Sequence, residues 1–204
     1  MDNKIIELAK KHLKDNDPVI RDLINSYPFS LIVNDNYIEA LIKTIIDQQL
    51  NVKVADLIYN RFKKLFKDQT SYLEILNMDD LLLRNIGLSY SKVSYLKDLV
   101  LKIRDQEIDL KSLSKLSNQE VINELTKIKG IGIWSAQMFL IFSLARSDVL
   151  PAGDQGIKRA VQINYGLKTK PQDQEIEELS VKFNWNPYQS VASLYLWKSL
   201  KNSP

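Results

Sequence analysis

Leu125-Thr126-Lys127-Ile128-Lys129-Gly130-Ile131-Gly132-Ile133-Trp134-Ser135-Ala136 is the stretch on which the reading of this chain turns. Two glycines flank one apolar residue between segments that read as amphipathic helices. Glycine allows a sharp turn and lets a ligand approach the backbone with no Cβ in the way. The second helix then opens with unpaired N–H groups and the positive end of its dipole, a natural seat for a phosphate. Lys127 and Lys129 place positive charge beside it. The turn alone is equally consistent with a tight corner between two helices.

Upstream of this hairpin, nearly every segment has helical period. Ser117-Asn118-Gln119-Glu120 has capping-box form and predicts a helix through Val121, Ile122 and Leu125. Val93, Leu96, Leu99, Val100 and Ile103 predict another, opened by Ser89 or Ser91, and Leu81 to Arg84 a short one stopped at Gly87. Ile38, Leu41, Ile42, Ile45 and Ile46 follow the i, i+3, i+4 rule, with cap candidates in Asn34 to Asn36. Val54, Leu57, Ile58, Phe62, Leu65 and Phe66 mark the helix after Asn51. Downstream, helices are expected over 133–145, 155–165, 172–183 and 187–201. No strand pattern, linker or repeat is evident, so the expected class is all-α, with about ten helices.

Composition narrows the chemistry. The 204 residues are 45% hydrophobic and 26% charged, in the ordinary range of a soluble globular protein. There is no cysteine, which excludes disulfides, cysteine-bound zinc and iron–sulfur clusters and fits a reducing compartment. The one histidine, His12, cannot build a multi-histidine metal site, and in Lys10-Lys11-His12 it reads as part of a solvated helix face. No apolar run approaches the ~20 residues a membrane span needs, and no signal-peptide pattern opens the chain, so a soluble intracellular protein is expected. Net charge is only +3, but residues 127–170 hold seven Lys/Arg against two acidic residues. A local basic surface of this kind suits phosphate, though it often means nothing more than solvation.

Beyond the hairpin comes Asp148-Val149-Leu150-Pro151-Ala152-Gly153-Asp154-Gln155-Gly156-Ile157-Lys158-Arg159-Ala160. Asp154 follows a Pro/Gly turn at the mouth of a helix. It is an N-cap candidate, and capping is compatible with catalysis because a cap fixes a carboxylate in place.

Together these passages resemble the helix-hairpin-helix (HhH-GPD) superfamily of DNA glycosylases, and within it the alkylbase, 3-methyladenine II-type, family. Trp134 and Asp154 stand at the family's spacing of about twenty residues. The likeness runs from Tyr37 to Trp197 and takes in Ile46-Asp47-Gln48-Gln49-Leu50-Asn51-Val52-Lys53-Val54-Ala55, Gly87-Leu88-Ser89-Tyr90-Ser91-Lys92 and Asn186-Pro187-Tyr188-Gln189-Ser190-Val191-Ala192. It implies a two-lobed helical fold: residues 37–143, with the hairpin at about 118–145, in one lobe, and 1–36 with 144–204 in the other. Unlike the best-known bacterial members, this chain has no room in its first ~35 residues for a separate α/β domain.

The resemblance also implies a site. Asp154 would be the catalytic carboxylate. Lys129, Gly130, Ile131, Gly132, Trp134, Ser135 and Ala136 would meet one DNA strand through the hairpin. Carbonyls of Thr126, Ile128 and Ile131 would hold a structural Na+ or K+, with no other cofactor needed. Gln48, Gln49 or Leu50 would wedge into the duplex, Gln49 being preferred; alternatively Gln49 ends a helix and Leu50 packs inside. Trp134 occupies the position where strand-cutting members carry a lysine nucleophile, so a monofunctional enzyme is implied. Its indole face suits a cationic alkylated purine, although a core aromatic would have the same spacing. Tyr37 and Tyr90 are further pocket candidates, with ordinary packing as the alternative.

The implied activity is base-excision repair of alkylated purines such as 3-methyladenine and 7-methylguanine, by flipping the base into a cleft between the lobes. The expected partner is double-stranded DNA containing damaged bases, met by a monomer away from membranes, in the nucleoid of a prokaryote or the nucleus of a eukaryote. The rival readings are a glycosylase of the same superfamily for deaminated or oxidised bases, a non-catalytic DNA-binding module, and a purely structural helical protein.

Overall fold

Cap residues set the helix starts. The computed structural model describes residues 1–66 and 72–200. Among these are eleven α-helices and no strand: α1 (Asn3–Asn16), α2 (Pro18–Ser26), α3 (Tyr37–Asp47), α4 (Val52–Lys63), α5 (Asp80–Asn85), α6 (Tyr90–Arg104), α7 (Asn118–Leu125), α8 (Ile133–Phe142), α9 (Gln155–Asn164), α10 (Asp173–Lys182) and α11 (Gln189–Leu200). Asn36, Asn51 and Ser89 each accept a hydrogen bond from the first turn of the helix they open, as expected, with Ser89 rather than Ser91 capping α6. The capping box at Ser117 and Glu120 is closed in both directions.

Helix ends differ more from expectation, because ends depend on tertiary surroundings. Leu65 and Phe66 fall outside α4, in tighter turns bonded to Phe62 O and Lys63 O. The helix expected over 133–145 stops at Phe142; Ala145 takes a left-handed conformation and the Arg146 amide closes a wide turn on Leu140 O. α8 is apolar along its length rather than amphipathic, with only its first two residues, Ile133 and Trp134, well exposed. The last helix ends within the described residues at Leu200, and residue 201 lies outside them.

The chain divides into two compact units, one of residues 1–33 with 140–204 and one of residues 34–139. In the first, Leu13, Ile20, Ile157, Trp185, Tyr195 and Leu196 form a core drawn from both ends of the sequence. Burying side chains of this size contributes about 1.5–3 kcal/mol each before conformational entropy is subtracted. The single histidine belongs to this unit and is not on a solvated face: His12 is half-buried, its Nε2 is 2.6 Å from Asn184 O and its ring meets the edge of Tyr188. In the second unit α3 packs on α4 and α6 through Leu41, Ile42, Ile45 and Ile46, all fully buried.

Asp17 was not singled out by any sequence pattern. It caps α2 and is completely buried. Its Oδ1 accepts from the amides of Val19 (2.8 Å) and Ile20 (3.1 Å), and its Oδ2 accepts from Tyr165 Oη (2.5 Å) and Trp185 Nε1 (2.7 Å). Four donors on both oxygens make a buried carboxylate tolerable.

Candidate active site

The Pro151-Ala152-Gly153 turn is closed by the Asp154 amide on Pro151 O (3.0 Å), which delivers Asp154 to the N-cap of α9. Its Oδ1 accepts the Ile157 amide at 2.8 Å, so the capping expected from sequence is present. A second donor reaches the same oxygen: Trp197 Nε1, from α11, at 2.7 Å. Gly156 makes this approach feasible. A Cβ there would stand 3.0 Å from Asp154 Oδ1 and 3.1 Å from the indole. Phe142 stacks on Trp197, with ring centroids 6.0 Å apart. Asp154 is nonetheless only partly buried. Trp197 is thus a partner of the candidate carboxylate that sequence reading missed. Its only signal was its place at the end of the family likeness, since a contact across 43 residues leaves no local pattern. Asp148 is exposed.

In the second unit the hairpin separates its two glycines. Gly130 has φ +80°, and a Cβ on it would overlap the Tyr95 ring at 2.2 Å, so the fold itself demands glycine there. Gly132 has an ordinary φ, and among the described residues an added Cβ would have no neighbour within 4 Å. Its carbonyl accepts the first bond of α8, from Ala136. Folding sets no need for glycine at 132. The hairpin backbone is further held by Asp98, 8% exposed, whose Oδ2 accepts the Lys129 amide at 2.9 Å.

The local positive charge is smaller than the sequence suggested. Lys127 pairs with Glu124 at 2.6 Å, and Lys129 Nζ lies 3.7 Å from Asp98, though both lysines stay largely exposed. Of the expected DNA-facing residues, Lys129, Gly130, Gly132 and Trp134 are exposed, while Ile131, Ser135 and Ala136 turn their side chains into the core. Trp134 is 48% exposed, so it is not a core aromatic. The Ile128 carbonyl already accepts the Ile131 amide at 3.1 Å, which leaves its second lone pair for another partner. Neutral carbonyls at Thr126, Ile128 and Ile131 are the donor type that suits a hard monovalent ion.

The three wedge candidates are treated differently. Gln48 Nε2 donates to Gly130 O at 2.7 Å, tying this turn to the hairpin. Gln49 is exposed and left-handed, with φ +57°, and Leu50 is partly buried. Tyr37 opens α3 and meets Phe139 edge-on at 5.4 Å. Tyr90 is 62% exposed and lies under the Arg84 guanidinium at 4.1 Å, a surface cation–π pair.

Comparison with known proteins agrees with this anatomy. Residues 42–184 match the HhH-GPD superfamily of base excision DNA repair proteins. DNA-3-methyladenine glycosylase 1 of Schizosaccharomyces pombe is 37% identical over 166 residues, which cover 80% of this chain and 72% of that protein. YfjP of Bacillus subtilis is 31% identical over 84% of this chain, which spans 61% of YfjP's length. The solved structure of S. pombe 3-methyladenine DNA glycosylase Mag1 in complex with abasic DNA superimposes with a TM-score of 0.84 at 33% identity, covering 96% of this chain and 97% of that one. The chain therefore belongs to the HhH-GPD superfamily of base excision DNA repair proteins, alongside relatives named for 3-methyladenine excision.

Proposed function

We propose that this protein is a monofunctional DNA glycosylase that hydrolyses the N-glycosidic bond of alkylated purines, 3-methyladenine and 7-methylguanine among them, after flipping the base out of the duplex. The observation that carries this reading is Asp154: a partly buried carboxylate fixed at a helix start, with an amide and an indole N–H donating to its Oδ1. A carboxylate held in this way stabilises positive charge developing on a nearby sugar without having to reorganise. As the C1′–N bond breaks, the base leaves with the electron pair. A cationic alkylpurine departs as a neutral molecule and needs no proton. Water adds its oxygen to C1′ and gives a proton to Asp154, leaving free base and an abasic site. The reaction so written draws on water and this carboxylate alone.

The other parts follow the same reading. The exposed indole of Trp134 attracts a cationic base and offers no amine for strand cutting. The open backbone at Gly132 lets a phosphate approach the first amides of α8. Gln49 fills the space left by the flipped base. Carbonyls of Thr126, Ile128 and Ile131 would hold a Na+ or K+ that stiffens the hairpin.

The test is base release from methylated duplex DNA. Free 3-methyladenine and 7-methylguanine should appear, the strand should break only after alkali or heat, and borohydride should trap no enzyme–DNA adduct. Release of hypoxanthine or 8-oxoguanine in place of methylated purines would overturn the substrate class, and a trapped adduct would overturn the monofunctional assignment.

A further inference from the structure

Two side chains outside the chemistry hold the turn that carries Gln49. The C-terminal end of a helix leaves carbonyls without intrahelical partners. At the end of α3 these are met by Lys92, from the first turn of α6, whose Nζ donates to Ile46 O at 2.8 Å and to Gln48 O at 2.7 Å. Burial pulls the Lys92 pKa below the ordinary lysine value, with Asp47 opposing. The second anchor is Gln48, whose side chain reaches Gly130 O across 82 residues of sequence. Between these anchors lies Gln49, in a left-handed conformation that a non-glycine residue holds only when its surroundings impose it. The Leu50 amide closes the turn on Asp47 O at 3.2 Å.

We propose that Lys92 and Gln48 are positioning residues that lock the Gln49 turn to the hairpin, so that strand grip and duplex wedge are presented as one body. This rests on the glycosylase reading above and adds to it the means by which the wedge is aimed. Neither residue touches the reacting sugar in this scheme. Lys92 acts through the backbone of Gln48, and Gln48 through the backbone of Gly130.

A wedge matters only where a stacked, paired base must be opened, and that separates positioning from general damage to the fold. Single-turnover excision of 7-methylguanine is measured with the lesion paired to cytosine and with the lesion opposite an abasic spacer. Lys92→Met keeps the aliphatic stem and removes the donor. It should slow the paired substrate roughly 10- to 100-fold, the scale of a misplaced group, and the unpaired one by less than about threefold. Gln49→Ala should behave alike, and the double variant should be no slower than the slower single one. Gln48→Leu leaves the Lys92 contacts in place and should show the same selectivity at roughly a tenth of wild-type rate. It therefore serves if Lys92→Met does not fold. Equal slowing of both substrates, multiplying defects in the double variant, or wild-type behaviour of Gln48→Leu would overturn the proposal, as would a borohydride adduct on Lys92. A binding readout stands apart from activity. Wild type bound to abasic duplex should unstack a neighbouring 2-aminopurine and raise its emission, and Lys92→Met should bind without that rise. If wild type excises nothing, the glycosylase reading fails, while the emission assay still decides the positioning role.

Discussion

Asp17 and Asp154 solve the same local problem in different ways. Each is an aspartate at a helix N-cap, each takes an amide from the first turn, and each receives an indole N–H from a tryptophan far along the chain. Asp17 is wholly buried and has two donors on each oxygen. Its phenol partner Tyr165 is held neutral: burial first, and then the Asp17 charge, push its pKa well above the tyrosine range. At Asp154 the amide and the indole converge on Oδ1, and the residue reaches the surface of its unit. The same motif is a staple in one place and a presented carboxylate in the other. Burial makes the difference, not the identity of the residue.

The most direct way to break the comparison is Asp154→Asn. An asparagine oxygen caps as well as an aspartate, so thermal stability should barely change. Single-turnover excision should fall by about 10²–10³ or more, since charge and base function go together. Asp148→Asn, on an exposed residue, should stay within a few-fold of wild type. If the two results exchange places, the wrong carboxylate has been assigned.

Asp17→Asn should do the reverse. One face of the new amide would present N–H to the donors of Tyr165 and Trp185, and urea unfolding should register a loss of about 2–4 kcal/mol. Excision per folded molecule should be retained. An Asp17→Asn protein of wild-type stability would mean the Tyr165 and Trp185 contacts are worth little.

The hairpin glycines offer a second pair. Gly130→Ala places a Cβ against Tyr95 at a positive φ and should cost about 2 kcal/mol or more in chemical denaturation. Gly132→Val should fold normally, yet bind intact and abasic duplex several-fold more weakly, with a shallower dependence on salt. Unchanged affinity in Gly132→Val would remove the hairpin from the interface.

The smallest expected effect sharpens the first comparison. Trp197→Phe keeps an aromatic ring but removes the indole N–H that donates to Asp154 Oδ1. A loss of roughly 1 kcal/mol, about fivefold in excision rate, should follow. A rate equal to wild type would show that the carboxylate is oriented without the indole.

What the sequence made legible was local. Ser117 with Glu120, Asn36, Asn51 and the Gly130 turn lie within four residues of the atoms they organise, and a short window is enough to read them. What it hid was long-range. Asp17 and Trp185 are 168 residues apart, and no pattern near either announces the other. Gly130 and Gly132 look equivalent in the sequence, and only the Tyr95 ring tells them apart. His12 looked solvated because its partner, the Asn184 carbonyl, belongs to a left-handed turn near the other end of the chain. The end of α8 was set too late because alanine gives no warning that it will turn left-handed. The turn at Gln48 to Leu50 could be singled out from the sequence, but the bonds that anchor it, from Lys92 and from the Gln48 side chain, could not.

The open space around Gly132 has a practical use. The chain contains no cysteine, so Gly132→Cys would carry its sole thiol, at a position where an added Cβ has no neighbour within 4 Å among the described residues. Such a thiol could form a disulfide with a thiol-tethered phosphate in a synthetic duplex, or carry a dye that reports contact with unmodified DNA. A saturation library at residue 132 would also be expected to score flat for thermal survival and steep for protection of cells against methylating agents. Disagreement between those two screens would mark a glycine kept for its ligand and not for its fold.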